Sequence, residues 1–509
     1  MNQADANVNS CKHQITRKTH ECRCEETILL LSCASNVGIR TNSRNRCASA
    51  GKLQFSDKGA ESSVQEVVER EEMISVVVRT KSSFFLHLED FNKPEDVALV
   101  AFVSDETRSS ITERSYSCFD LILFFESSQY DYRNLSHFDD VVIPGFEQFG
   151  KELEDIVDLS KLQLIYANEY AHAPVCKLRK RLSLNGPYLS DLAHICSKDL
   201  GKLIARKHNI PTAKSVSVNL SESTEGIAAL VAQIEAEIGG YPMFKRPIAL
   251  AGSAGAERID SRTELFAWLR RVDEDEDKTG YLIEEFLTGR EFFAVVCLLP
   301  DGSVEPLVVR YLEFGFSVAG HIETGRPVTN FVDSFHNAEE EFPRLREFVD
   351  KVIRAFNPPC PQIFCVQGFQ RAANSDDYLL VELAHRPAGP RTNSMCYKAC
   401  GISQETAMLM SHIDPSYRPK LNRFWKRPIE LALWFPQRKG ILEGYTDLPG
   451  KENVGSEITA EWLHPVGAVM EQAKDTSENV VILTLRCDDR KQLLRDAKWV
   501  AENWRPILG

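Results

Sequence analysis

Tyr378-Leu-Leu-Val-Glu-Leu-Ala-His-Arg-Pro-Ala-Gly389 is an apolar run interrupted by one carboxylate, Glu382, with Arg386 four residues further on. A run this short and apolar predicts a buried strand. An unpaired carboxylate inside such a strand is costly, so Glu382 calls for a cation or a ligand. Carboxylate oxygens hold Mg2+ on nucleotide phosphates, and a nearby arginine can neutralise a transferring phosphoryl group. A surface ion pair between Glu382 and Arg386 is the plain alternative.

The strand before it reads as Cys365-Val-Gln-Gly-Phe-Gln370, joined through a polar turn at Asn374 to Asp377. Gln367 and Gln370 offer neutral carbonyl oxygens there. Further upstream, Tyr281-Leu-Ile-Glu-Glu-Phe-Leu-Thr-Gly-Arg-Glu-Phe-Phe-Ala-Val-Val296 is two strand-like runs about a glycine. Its connector can offer backbone groups to an adenine edge and a carboxylate to a ribose, or be a simple turn with solvated acids. Tyr241-Pro-Met-Phe-Lys-Arg-Pro247 precedes the small-residue stretch Ala251-Gly-Ser-Ala-Gly255. A lysine followed by Gly, Ala and Ser lets an ammonium and backbone N–H groups approach phosphate. Ser197 to Pro211 predicts a helix with Ser197 as N-cap and Pro211 as stop, running into a strand from Ser215 to Asn219.

Toward the N-terminus, Ile74–Val78, Asp96–Asp105, Asp120–Glu126 and Val141–Pro144 are short apolar runs spaced for helices, predicting an open parallel α/β sheet over 73–190. No Gly-x-Gly-x-x-Gly loop follows its first strand, so dinucleotide binding has no support. Residues 1–72 hold Ser, Asn, Lys and Arg without periodicity and read as a disordered extension. Beyond Trp425 the chain reads as a smaller α/β segment, with a strand at Val480–Leu485 and a helix from Arg490 to Trp504. A length of 509 residues implies several domains. No stretch reaches the roughly 20 apolar residues of a membrane span. A net charge of -13 argues against nucleic acid as the main partner. The 14 cysteines lack Cys-x-x-Cys spacing and read as free thiols of a reducing cytoplasm.

Taken in order, these elements resemble the ATP-grasp superfamily over roughly residues 73–509. The resemblance implies a pre-ATP-grasp α/β domain (73–190) and a two-lobed ATP-grasp domain (191–415; small lobe about 215–283, large lobe about 284–415). The C-terminal α/β segment (416–509) follows. It implies ATP and Mg2+ (or Mn2+) as cofactors. Lys198 and Lys245 would contact the nucleotide phosphates, with Gly252, Ser253 and Gly255 as the phosphate loop. Backbone of Glu284, Glu285, Phe286 and Leu287 would read adenine, and Glu291 would hold the ribose. Glu382 would ligate metal, with Gln370 or Gln367 where a second carboxylate is usual, and Arg386 would stabilise an acyl phosphate. Ala384 stands where the family often has Asn.

Arg310 to Arg326 contains Gly320-His321 and resembles the Gly-His segment of ATP-grasp amino-acid ligases, placing His321 over the substrate side. Arg310, Arg391 and Asn393 are the substrate candidates. The expectation is an ATP-dependent carboxylate-amine ligase acting on small molecules, with a homodimer left open. An inactive ATP-binding or regulatory protein, or a purine-pathway-like ligase, is the alternative.

Overall fold

β-branched and aromatic runs fit a pleated, buried surface, and they build the first sheet of the chain. In the computed structural model it comprises β1 (Ile28–Leu30), β2 (Val37–Thr41), β3 (Met73–Arg79), β4 (Val97–Ser104), β5 (Leu121–Phe125) and β6 (Leu162–Tyr166), in the order β1-β2-β5-β4-β3-β6. The structure describes residues 28–30, 37–41, 73–80, 84–86, 91–107, 115, 117–127, 140–218, 226–248, 255–274, 280–313, 317–422, 429–474 and 478–509. Strands β3 to β6 are parallel, as the sequence predicts. Helices α1 (Phe146–Ile156) and α2 (Glu169–Arg181) cover one face, Phe146, Phe149, Val175 and Leu178 meeting Val76, Val78 and Phe102.

Two expectations change here. Val141–Pro144 is not a strand: Pro144 and the left-handed Gly145 turn the chain into α1, leaving Val142 exposed. The fourth parallel strand is β6. Within 1–72, β2 pairs antiparallel with β5 and β1 antiparallel with β2, extending the sheet. The rest of that segment lies outside the described residues.

Helices α3 (Leu189–Cys196) and α4 (Lys198–Lys207) lead into a small antiparallel sheet. It is formed by β7 (Ser215–Val218), β8 (Met243–Pro247), β9 (Glu257–Ile259) and β10 (Tyr281–Glu285), in the order β7-β10-β8-β9. Helices α5 (Ile227–Ile238) and α6 (Arg262–Glu274) bury Val231, Ile234, Leu265, Trp268 and Leu269 against Ile283 and Met243.

The third sheet is antiparallel and has eight strands: β11 (Arg290–Leu298), β12 (Val304–Tyr311), β13 (Val328–Ser334), β14 (Gln362–Gln370), β15 (Tyr378–Ala384), β16 (Ile429–Pro436), β18 (Glu457–Trp462) and β20 (Asn479–Cys487). β17 (Gly440–Ile441) and β19 (Val469–Met470) pair separately. The order is β15-β14-β11-β12-β13-β16-β20-β18. The C-terminal segment thus contributes β16, β18 and β20 to this sheet, while β17 and β19 form a two-stranded sheet of their own. Among the helices α7 (Val318–Thr324), α8 (Phe335–Ala338), α9 (Leu345–Phe356), α10 (Pro390–Cys400), α11 (Gln404–Ile413) and α12 (Arg490–Asn503), α9 and α12 cover one face. Helices α10 and α11 cover the other.

Candidate functional site

Neighbouring side chains on a strand point to opposite faces, and on β8 this separates Lys245 from Arg246. Lys245 turns toward α6: its ammonium lies 5.3 Å from the Trp268 ring and 2.9 Å from Glu257, and reaches the Gly255 carbonyl at 3.4 Å. Arg246 turns into the cleft between the small and large sheets. Its Nε donates to Glu284 at 2.6 Å, its Nη1 to Glu382 at 2.8 Å and its Nη2 to the Val381 carbonyl at 3.1 Å. The expected cleft cation on this strand is thus Arg246 and not Lys245. Gly252 and Ser253 lie outside the described residues.

Two lysines of α4 join it. Lys198 lies 3.9 Å from Glu382, and Lys202, one turn on, pairs with Glu284 at 2.7 Å. The helical period brings both to one side. Burial lowers both lysines' pKa, against the pull of Glu382 on the first and Glu284 on the second. Burial alone would raise Glu284, but Arg246 and Lys202 hold it below the usual carboxylate range. So Glu284 anchors two cations by its side chain. Its backbone and that of Glu285 lie in β10 between β7 and β8, and Phe286 N donates to the Pro242 carbonyl. Of the four residues assigned to adenine, Leu287 is the first beyond these bonds.

Glu382 stands directly across from Gln367 on β14, and Gln367 from Phe293 on β11, which pairs in turn with Arg310 on β12. These four form a row on the sheet face nearer the cleft. Gln370 faces the other way, its Nε2 donating to the carbonyls of Glu341 at 2.7 Å and Ser375 at 2.8 Å. Its assignment beside the metal carboxylate is corrected to Gln367; a register shift after Gln367 displaces the pairing.

Glu291 flanks the row. It accepts from Gln367 Nε2 at 2.5 Å and from Val318 N at 2.8 Å, and burial pushes its pKa up to about 7. Arg310 lies 4.6 Å over Phe293 and 5.1 Å over Trp434, donates Nε to Asn330 at 2.6 Å, and is pushed down to about 10 by burial. Arg386 reaches from the end of β15 to Glu169, at the start of α2, at 2.7 Å. Burial opposes its charge, and Glu169 more than restores it. Glu169, Lys198, Lys202, Glu382 and Arg386 share one cavity with Cys196 and His172 in its wall.

Other candidates sit apart. His321 is buried, bonds the Arg326 carbonyl at 2.8 Å and is kept neutral, pushed down to about 4 by burial. Its second neighbour is Asn479 on β20, and the charge of Arg310, at the end of the cleft row, also disfavours its protonation. Asn393 is fully buried and accepts from Glu405 N at 3.3 Å; Glu405 in turn pairs with Arg79 of β3. The Arg391 side chain lies outside the described residues. Sequence reasoning does not single out Arg246, Lys202 or Glu169. The strand period marks Arg246 and the helical period from Lys198 marks Lys202, whereas Glu169 lies 217 residues from its partner and leaves no local signal.

Magnesium-type ions seek oxygen ligands and keep several waters or phosphate oxygens. The Glu382 carboxylate, 31 % exposed, and the Gln367 amide are adjacent oxygen donors. Among the described residues no group of three or more His, Cys, Asp or Glu side chains could hold a metal. The donor set fits an ion that arrives with phosphate oxygens, not a cage built by protein alone.

No family model matches the chain. A D-alanine–D-alanine ligase of Chlorobium chlorochromatii is 27% identical over 138 residues, which are 27% of this chain and 34% of that protein. The chain thus spans about a third of that relative's length. An L-amino acid ligase from Bacillus licheniformis superposes with a TM-score of 0.56 at 13% identity, over 86% of this chain and 99% of that one. A biotin carboxylase from Campylobacter jejuni, solved with β,γ-ATP, gives 0.51 at 14% identity, over 83% and 89%.

Proposed function

We propose, from the premise that this chain has the ATP-grasp fold and resembles the carboxylate-amine ligases of that superfamily, that it joins a carboxylic acid to an amine at the expense of ATP. The observation that carries the reading is the convergence of Lys198, Lys202 and Arg246 on Glu284 and Glu382, beside Arg386.

In such a reaction a carboxylate oxygen attacks the γ-phosphorus, ADP leaves, and the acyl phosphate is taken by the amine, which loses a proton as phosphate departs. Charge neutralisation and positioning do most of this work. Lys198 and Arg246 would exchange Glu382 for phosphate oxygens, while Glu284 keeps Arg246 and Lys202 aimed. Glu382 and the Gln367 carbonyl would hold the Mg2+ that offsets phosphate charge. Arg386, steadied by Glu169, would face the acyl oxygen. Glu291 and Arg310 lie beyond Gln367, and the acceptor side is assigned to them, with His321 held behind them by its bond to the Arg326 carbonyl. No helix among the described residues is long and apolar enough to cross a membrane, so the reading needs only dissolved substrates.

A second reading, ATP binding without turnover, is favoured by Gln367 where a second carboxylate would strengthen the metal. Phosphate release assayed across amino-acid pairs separates the two. Release that requires both an acid and an amine supports the ligase, and nucleotide binding with no release from any pair sinks it.

A further inference from the structure

We propose that Arg326, Arg438 and Arg505 form a second anion site, outside the nucleotide cleft, that takes a compact phosphate-type dianion or polyanion such as pyrophosphate or a phosphate ester. The three come from distant parts of the chain. Arg326 follows α7, Arg438 follows β16 and Arg505 follows α12. The Arg438 guanidinium lies against Gly325, where an added Cβ would come within 2.9 Å of its Nε and 3.3 Å of its Cζ. Gly325 has the left-handed φ of 63° that caps α7, so glycine suits both the turn and the contact. This sets Arg438 beside Arg326. Arg505 is half-buried and fixed by its own helix end, its Nη1 donating to the carbonyls of Ala501 at 2.8 Å and Trp504 at 2.6 Å.

Among the described residues no carboxylate balances them. Among the described residues none of the three makes an ion pair, and the charges that Arg505 feels are those of Arg326 and Arg438, which act with burial to disfavour its own. In a chain of net charge -13 an unrelieved group of three arginines, with exposed Lys439 next in sequence, is out of keeping with its surroundings. Complementing the carbonyl end of α7 accounts for one positive charge, not three. Arginine's fixed fork of donors matches phosphate oxygens, and several forks match a polyanion better than a single carboxylate. Helix α7 links this place to the cleft, since its first amide, Val318 N, donates to Glu291 while Gly325 caps its far end.

The test is titration of the full chain with inorganic pyrophosphate, followed by the fluorescence of Trp504, the residue before Arg505. Wild type is compared with Arg326→Met, Arg438→Met and Arg505→Met, and with Arg246→Met as the control for the cleft. The expected result is saturable binding that weakens at least tenfold in Arg326→Met and Arg438→Met and stays within twofold in Arg246→Met. Citrate should bind at least tenfold more weakly than pyrophosphate. Arg326 and Arg438 are exposed, so these two variants keep their fold even if Arg505→Met does not; matching circular dichroism checks this. Absence of saturable binding, loss in Arg246→Met alone, or equal binding of citrate each overturns the proposal.

Discussion

The two faces of the eight-stranded sheet carry charged groups of opposite fate. On the face away from the cleft, Arg290 and Arg490 engage Glu341, with Arg290 3.6 Å from Glu313 and Arg490 3.8 Å from Asp333. That knot ties the C-terminal helix to the first strand after the connector, and its charges answer one another. On the cleft side, Glu382 is 31 % exposed and faces cations drawn from α4 and the small sheet. Partners held across an opening between lobes can be exchanged for a ligand, whereas partners packed together on one face of a single sheet cannot. Charge density alone does not mark a site; replaceable partners do.

The comparison breaks most visibly if Glu382 proves dispensable. Glu382→Ala should reduce turnover by on the order of 10^2 to 10^3-fold, the cost of losing a preorganised charge at the reacting group, with the thermal midpoint little changed. Next come the two faces of β8. Arg246→Met should weaken nucleotide binding more than tenfold in an equilibrium titration, and by leaving Glu284 short of a partner should cost about 3 to 5 kcal/mol of stability. Lys245→Met should leave nucleotide affinity within twofold; equal losses in both variants would restore Lys245 to the cleft.

Glu291 sharpens the contrast through pH. Its carboxyl ionises near 4.5 when exposed and near 7 when folded. It therefore contributes stability that is complete below about pH 4.5 and lost as pH rises through 7, about 3 kcal/mol at 1.36 kcal/mol per pH unit. Thermal midpoints of wild type should fall relative to Glu291→Gln between pH 5 and 8, and parallel profiles would contradict the burial argument. The smallest effect belongs to the far face: Arg490→Met should cost about 1 to 3 kcal/mol in denaturant unfolding without changing the Michaelis constants.

Much of this was legible before any coordinates. The parallel strands of the first sheet, the helix from Lys198 and the strand holding Glu382 follow from apolar runs and caps, and the order of lysine, connector and Glu-x-x-x-Arg points to the fold. The errors have physical sources. Choosing Lys245 over Arg246 ignored which way a strand residue points, although the pattern Met243, Lys245, Pro247 against Phe244, Arg246 was available. Choosing Gln370 counted residues along the chain, and the shift in register after Gln367 is invisible in one dimension. Glu169 reaches Arg386 only because the first sheet docks at the end of β15, a tertiary fact. The smaller α/β segment beyond Trp425 joins the eight-stranded sheet through a pairing, β16 with β13, that no local pattern reveals.

The central claim, that ATP activates a carboxylate at the place where Glu382 and Arg386 meet, is tested most directly by isotope transfer. Once an acid and amine pair that supports phosphate release is found, the acid is supplied with 18O in its carboxyl group and the inorganic phosphate is analysed by mass spectrometry. The account predicts one 18O atom in each phosphate released with the amide product, and the same transfer at a rate on the order of 10^2 to 10^3-fold lower in Glu382→Ala. Product formed with unlabelled phosphate, or with AMP in place of ADP, would contradict it.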